Sequence, residues 1–370
     1  MAWHHLQYAA GLLRLGHDAF FLEDSGNYPA CYDPSRHRTG SDPSYGLRFA
    51  ADALERLGLG ARWAYHDAHT GRWFGPLGEK AVEVSTGAEL LLNVSGVNPL
   101  RPWHREIPVR VLIDTDPVFT QVRHLLRPED LAAARAHTHF RTFGENFGAP
   151  GCGIPDDGLP WCATRQPILL AEWPHPPGPQ DGSFSSILQW ESYPAVVYAG
   201  RRWGVKADSF PPYLGLPGLV PMPLELALGS ASAPRSLLRQ HGWRLTDPLR
   251  VSRDPWTYRS FIQASKGEFS IAKQAYAAAS SGWFSERSAC YLASGRPVVV
   301  QETGFSHWMG NSAGVLPFSS PEGAVAALTE ACEQYEGRCA EARSVAEILF
   351  SSDRVLSGLI DGLYASPSAS

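Results

Sequence analysis

The chain predicts an α/β protein of two domains, each a mostly parallel sheet flanked by helices. Three observations carry that expectation. Its 370 residues exceed what one hydrophobic core serves comfortably. Apolar runs of strand length alternate with stretches of helical periodicity, the pattern of parallel sheets covered by helices. Residues 148–183 are dense in glycine and proline and divide the chain near its middle. The expected domains are 1–163 and 164–340, followed by helices over 341–364 and a disordered tail at 365–370.

Composition narrows the class. Hydrophobic residues at 44% and charged residues at 19% describe a soluble globular protein. Thirty-two basic residues against 37 acidic ones give a net charge of −5, which argues against a nucleic-acid partner. Cys31, Cys152, Cys162, Cys290, Cys332 and Cys339 form no C-x-x-C pair, so they read as reduced thiols of a cytoplasmic protein. No signal peptide and no apolar run of about 18 residues is present, so no transmembrane segment is expected. Peripheral membrane contact stays open.

In the first half, Leu6, Ala9, Ala10 and Leu13 share one face of a helix over 2–15, which Gly16 closes. A strand over 18–22 ends at Glu23-Asp24, and residues 25–45 form a loop. A helix at 45–57, a strand near 62–66 and a buried strand at 89–94 follow. The strand at 110–113 runs into Asp114-Thr115-Asp116, a helix covers 128–136, and the strand at 139–143 opens into Gly144-Glu145-Asn146. The second half is expected to begin with a strand at 167–173, then one at 184–190. A glycine-bearing loop holding Arg201, Arg202 and Lys206 follows, with helices near 224–229, 237–243, 256–264 and 270–279.

The richest stretch is SGWFSERSACYLASGRPVVVQETGF, residues 281–305. Ser281-Gly282 allow a sharp bend and Ser285 suits an N-cap. Glu286 fits the first turn of the helix, Gly295 its left-handed end, and Val298-Val299-Val300 a buried strand. A loop entering a helix beside a strand end is an anion site. Arg201, Lys206 and Arg287 are the cations that would join it. Glu302 and Thr303 close the strand where ligands of open α/β sheets lie.

The A-S-G-R-P-V-V-V ending resembles the E-A-x-A-x-G-x-P-V block of group 1 glycosyltransferases of the GT-B fold, in their spore-maturation-like branch. Gly282-Trp283-Phe284-Ser285 is similar to the G-W-N-S loop of plant-type sugar transferases. The resemblance implies two Rossmann-like domains facing each other across a cleft, with the C-terminal helices crossing back to the first. It implies a cytoplasmic enzyme moving a hexose from a nucleotide-diphosphate donor to an unknown acceptor, without metal or other cofactor. The loop residues Gly282, Trp283 and Ser285 would grip the diphosphate together with Arg201 and Lys206. Cys290 stands in the place of the family's ribose glutamate, and Glu286 lies one turn earlier on the same face. Glu268, in Lys266-Gly267-Glu268-Phe269, matches the acidic position of the family's E-G-F-G turn and would face the transferred sugar. At the head of the first helix His4 or His5 would act as base, oriented by Asp114 or Asp116. Glu145 and Asn146 would bind acceptor, with Asp24, Trp3, Trp103 and Trp161 as weaker candidates. A nucleotide-sugar epimerase and a non-catalytic nucleotide-binding protein of the same fold are the rival readings.

One expectation concerns topology. A Rossmann-like half begins with a central strand, whereas residues 2–15 already form the helix that follows it. The reading therefore expects a strand and loop of roughly ten to twenty further residues ahead of that helix. A strand-wide gap beside its head would mark the place; direct pairing of 18–22 with 110–113 would exclude it.

Overall fold

The computed structural model describes residues 2–26, 31–36 and 38–364. The expected tail at 365–370 lies outside them. Helix α1 (Ala2–Arg14) buries Trp3, Leu6, Tyr8, Ala9 and Ala10, the face that its periodicity marks. Strand β1 (Phe21–Asp24) follows, later than the expected 18–22, and residues 17–20 lie in no regular element. Helix α2 (Ser44–Arg56) leads to β2 (Trp63–Asp67), parallel to β1, and β3 (Arg72–Phe74) returns antiparallel to β2. These three make one small sheet.

Strands β4 (Leu90–Val94) and β5 (Val109–Asp114) begin a second sheet. Helix α3 (Phe119–Leu126), absent from the sequence reading, packs Phe119 and Val122 inward, and α4 (Pro128–Arg135) follows it. Strands β6 (His139–Thr142) and β7 (Trp161–Ala163) complete a parallel sheet in the order β4-β5-β6-β7. β1 and β5 thus lie in separate sheets. Among the described residues β1 has β2 as its only strand partner and β4 has only β5.

The second sheet-bearing half departs from expectation at its start. Residues 167–173 form no sheet strand: Ile168 makes an isolated bridge with Ser351, and Leu170–Glu172 is a single 3-10 turn. Here side-chain anchoring replaces the ladder, since Leu169 N and Trp173 Nε1 both donate to Gln7 Oε1, at 2.9 and 3.0 Å. Strand β8 (Phe184–Gln189) is where expected. The Arg201 loop is instead a hairpin, Val196–Tyr198 with Arg201–Trp203, running into a short helix at Lys206–Ser209.

Residues 224–229, expected as helix, are strand β9 (Leu224–Gly229). Their true period is two: Leu224, Leu226 and Leu228 join one core cluster while Glu225 bonds Thr246 beside it. Strand β10 (Arg244–Thr246), helix α5 (Pro255–Ala264) and strand β11 (Gly267–Ser270) follow. β11 corrects the expected turn at 266–270 and shortens the helix at 270–279 to α6 (Gln274–Ala278). Then come α7 (Glu286–Ala293), β12 (Val298–Gln301), β13 (Val315–Phe318), α8 (Pro321–Glu330), α9 (Tyr335–Val345) and α10 (Ser352–Tyr364). The sheet is six-stranded and wholly parallel, ordered β10-β9-β8-β11-β12-β13.

α7 is the keystone. Ala289, Cys290, Tyr291, Leu292 and Ala293 are fully buried in the largest core cluster, which also takes in Trp3 and Leu6 of α1 and Phe350. Gly295, at φ +66°, ends the helix as anticipated. Ser285 has the extended backbone of an N-cap, yet its hydroxyl caps nothing. At the far end Leu356, Leu359 and Leu363 of α10 pack with Tyr8 of α1 and Val94, Val111 and Ile113 of the first half.

Candidate functional site

The loops after β5 and β6 meet the 273–305 region of the second half, and this junction holds most of the residues singled out in the sequence. Gly282 is required there. At φ +75°, its missing Cβ would lie 2.8 Å from the Asn146 backbone nitrogen. Asn146 N donates to Ser281 O at 3.2 Å, and its Nδ2 donates to Ser280 O and Gly304 O, both at 2.9 Å. Thr303 accepts at its carbonyl from Gly282 N at 2.8 Å, and its hydroxyl donates to Trp283 O. Trp283 Nε1 donates to Thr115 O at 3.3 Å. Asn146, Gly282, Trp283 and Thr303 therefore form the frame that joins the halves. Glu145 is paired with Arg165, and Glu302 accepts from Gly304 N and from the Ser306 hydroxyl.

Beside this frame Asp116 is fully engaged. Lys273 Nζ approaches it at 2.8 Å, and the Tyr193 and Tyr276 hydroxyls both donate to it. Burial first, and then the Asp116 charge, push both phenols up from their ordinary range, so they stay protonated donors. Asp114 is buried among the Thr120, Gln121 and Thr142 side chains at 2.7, 3.0 and 2.8 Å, and burial raises its carboxyl.

The electrostatic centre is a group of cations. Arg287, in the first turn of α7, donates to Glu268 Oε1 at 2.6 Å, to Ile187 O at 2.7 Å and to Ser270 Oγ at 2.6 Å. Glu268 is completely buried on β11, and its Oε2 has no partner among the described residues. Lys206, at the head of the Lys206–Ser209 helix, is held well below the ordinary lysine value. Burial is the main cause, the nearby Arg287 and Lys273 charges add to it, and only Glu268 opposes them. Three cations share the space with two carboxylates, and each carboxylate already serves another cation. Lys206 has no ion pair among the described residues. Such a place gains from an anion that the protein does not itself supply.

The other expected residues are placed elsewhere. Glu286 accepts from Gln7 Nε2 and from the Cys290 thiol, both at 3.2 Å, so it faces α1, and burial raises its carboxyl. Arg201 is exposed, lies over the Trp203 ring at 4.0 Å and donates to Ala278 O at 2.6 Å. Arg202 pairs with Asp208. His4 Nε2 meets Ser95 Oγ at 3.2 Å, and burial lowers its pKa to about 3. Burial likewise lowers His5 to about 4. Neither histidine touches Asp114 or Asp116, so the expected histidine–aspartate pair is not formed. Tyr193 and Tyr276, absent from the expected site, carry no local signal that distinguishes them, whereas Lys273 stands with Lys266–Ser270 in a polar cluster legible in the sequence.

A separate polar cluster joins the ends of β1 and β2. Asp24 holds His66 Nδ1 at 2.7 Å and takes two bonds from Arg101 at 2.9 and 2.7 Å, with Trp73 tilted against His66 and Trp103 edge-on to it. Asp24 and Trp103 are thus engaged in packing the 96–104 loop onto the small sheet. No group of three or more metal-binding side chains is assembled among the described residues, and no helix there is long and apolar enough to cross a membrane.

No family model matches the chain, and no curated protein matches it in sequence. Solved structures do. AviGT4, a glycosyltransferase involved in avilamycin A biosynthesis, aligns with 98% of this chain and 88% of its own at 12% identity and a TM-score of 0.51. HepE from Anabaena, in complex with UDP and glucose, aligns with 94% of this chain and 99% of its own at 11% identity, TM-score 0.54. An alpha-glucosyltransferase bound to UDP-glucose and DNA with an abasic site covers 98% of this chain and 95% of its own at 9% identity, TM-score 0.56. The chain has the GT-B fold.

Proposed function

We propose that this protein is a glycosyltransferase that takes its sugar from a nucleotide-diphosphate donor. The observation that carries the reading is Lys206, buried without an ion pair among the described residues and set near Arg287 and Lys273 where the two halves meet. A donor diphosphate brings about two negative charges to that place and gains more as the sugar–phosphate bond breaks. Fixed cations and the free N–H groups of α7 stabilise such charge in the transition state. The fold supports the same reading, since HepE and the alpha-glucosyltransferase are both seen with UDP or UDP-glucose. Uridine is therefore the first base to test.

Within this reading Lys206 and Arg287 bind phosphate, while Glu268 orients Arg287. Gly282, Trp283, Ser285 and Thr303 shape the loop, and Asn146 ties it to the acceptor half. His4 and His5 are neutral at pH 7, as a base must be, but their low pKa values make them weak ones. Tyr193, Tyr276 and Asp116 lie nearer the cations and are the stronger candidates to face the acceptor hydroxyl. The alpha-glucosyltransferase is seen with DNA. The net charge of −5 here favours a smaller or uncharged acceptor.

The test is thermal stabilisation of purified protein by UDP, GDP and dTDP sugars, followed by product analysis with and without added acceptors. Stabilisation by one nucleotide family and acceptor-dependent release of nucleotide are expected. Turnover of the nucleotide sugar alone would make the protein an epimerase. Binding without any release would leave it a binding protein.

A further inference from the structure

One cation at the junction answers to two sites at once. Lys273 stands between the end of β11 and the start of α6. The backbone there lies against the segment that carries Lys206. Gln274 N donates to Val205 O at 3.4 Å, Ala275 N donates to Gly204 O at 3.0 Å, and the Gln274 side chain accepts from Gly204 N at 2.8 Å. Lys273 and Lys206 thus start from facing, hydrogen-bonded segments, and the Lys273 charge helps to hold Lys206 below the ordinary lysine value. From the same anchor the Lys273 ammonium reaches the other way, to Asp116 of the first half at 2.8 Å.

The surroundings of that ammonium attract a charge without fixing it. It lies 4.4 Å from the centre of the Tyr193 ring, 5.0 Å from Phe119 and 5.2 Å from Tyr276, and it donates to the Tyr193 hydroxyl. Lysine carries its charge on a flexible four-carbon stem, so Nζ can swing between neighbours while its backbone stays in place. Asp116 is the more open partner, its side chain 31% exposed against 13% for Lys273. It also has two donors other than Lys273, the Tyr193 and Tyr276 hydroxyls. A partly exposed ion pair is a weak one, whereas a diphosphate offers Lys273 about two charges.

We infer that Lys273 is handed over between the two halves of the site. In the free protein it neutralises Asp116, and a donor diphosphate held by Lys206 and Arg287 draws it away. Asp116 then keeps the two phenol donors and regains a lone pair for an incoming hydroxyl. The inference rests on the donor-site reading above and adds an order to it, donor first and acceptor second. While Lys273 stays on Asp116 the carboxylate is a poor partner for an acceptor, so an acceptor arriving alone finds the site closed.

The two members of this ion pair should therefore act on nucleotide affinity with opposite signs. Calorimetry at low salt with UDP, GDP and dTDP compares the parent with Asp116→Asn, Lys273→Gln and the double variant. Asn keeps an oxygen for the two phenols, and Asp116→Ser repeats the comparison with a second uncharged side chain. In Asp116→Asn the tightest nucleotide should bind about three- to tenfold tighter, because nothing competes for Lys273. In Lys273→Gln it should bind roughly tenfold weaker or more. In the double variant the gain from Asp116→Asn should disappear. That comparison is decisive, since removing a negative charge near an anion site favours binding even without a hand-over. A gain that persists without Lys273 overturns the inference, and so does an Asp116→Asn affinity no tighter than the parent's. Lys206→Met separates the two levels of the argument. No nucleotide bound by the parent, or equal affinity in Lys206→Met, defeats the donor site and the inference with it. Weakened binding in Lys206→Met, with no Lys273-dependent gain in Asp116→Asn, defeats the inference alone.

Discussion

Replacing Lys206 by Met separates binding from folding, because the two effects should have opposite signs. Met keeps much of the lysine stem and removes the ammonium. In the free protein that ammonium is disfavoured by burial and by Arg287 and Lys273, with no carboxylate of its own. Removing it should stabilise the fold by on the order of 1 kcal/mol. In the donor complex it should form a charge-assisted hydrogen bond to phosphate, worth about 1–3 kcal/mol. That range corresponds to a Kd for UDP weakened roughly 5- to 150-fold. Titration calorimetry at low salt measures the loss of binding and urea unfolding the gain in stability. The pH dependence adds a sign check. Between the depressed native value and the ordinary lysine value the unfolded chain binds the extra proton, so stability contributed at this site rises with pH. The Met variant should lack that rise. Phosphate should draw the proton back onto Lys206, so binding there takes up protons and weakens as pH increases. Unchanged UDP affinity in Lys206→Met, or a clear loss of stability, would refute the argument.

Three further outcomes are expected. Arg287→Ala should destabilise the fold by about 3–5 kcal/mol, since it strands the buried Glu268 carboxylate, whereas Arg287→Met with Glu268→Leu should recover most of that loss; chemical denaturation compares them. Gly282→Ala should cost roughly 1–3 kcal/mol through positive φ and collision with Asn146, and a limited-proteolysis assay should show the halves loosening. His4 has a native pKa of about 3, so the unfolded state takes up its proton first as pH falls below about 6.5. Stability should therefore fall between pH 6.5 and 3 more steeply in the parent than in His4→Gln, as read by melting temperature across that range.

The local elements are legible wherever one period dominates. α1 and α2 show a single apolar face, and β4, β5 and β12 are short apolar runs between turn residues. The 281–301 unit is readable almost residue by residue, because a glycine bend, a first-turn carboxylate, a left-handed glycine and a valine run are all local devices. Local reading fails where six residues satisfy two periods, as in β9, and where a side chain replaces a ladder, as Gln7 does for Leu169 and Trp173.

By itself, then, the sequence determined the α/β plan and singled out Lys206 and Arg287, because both follow from composition and short-range pattern. Only the tertiary structure decided what each of them faces. Asp116 goes to Lys273, Tyr193 and Tyr276 rather than to a histidine, and Glu286 turns to Gln7. Lys206 forms no ion pair among the described residues, whereas Arg287 and Lys273 each have one. The order of strands in each sheet is likewise a property of the assembled fold, since a strand's second partner comes from distant chain. Pairing of charges and of strand edges depends on which segments the fold brings within a few ångströms, and no local period encodes that.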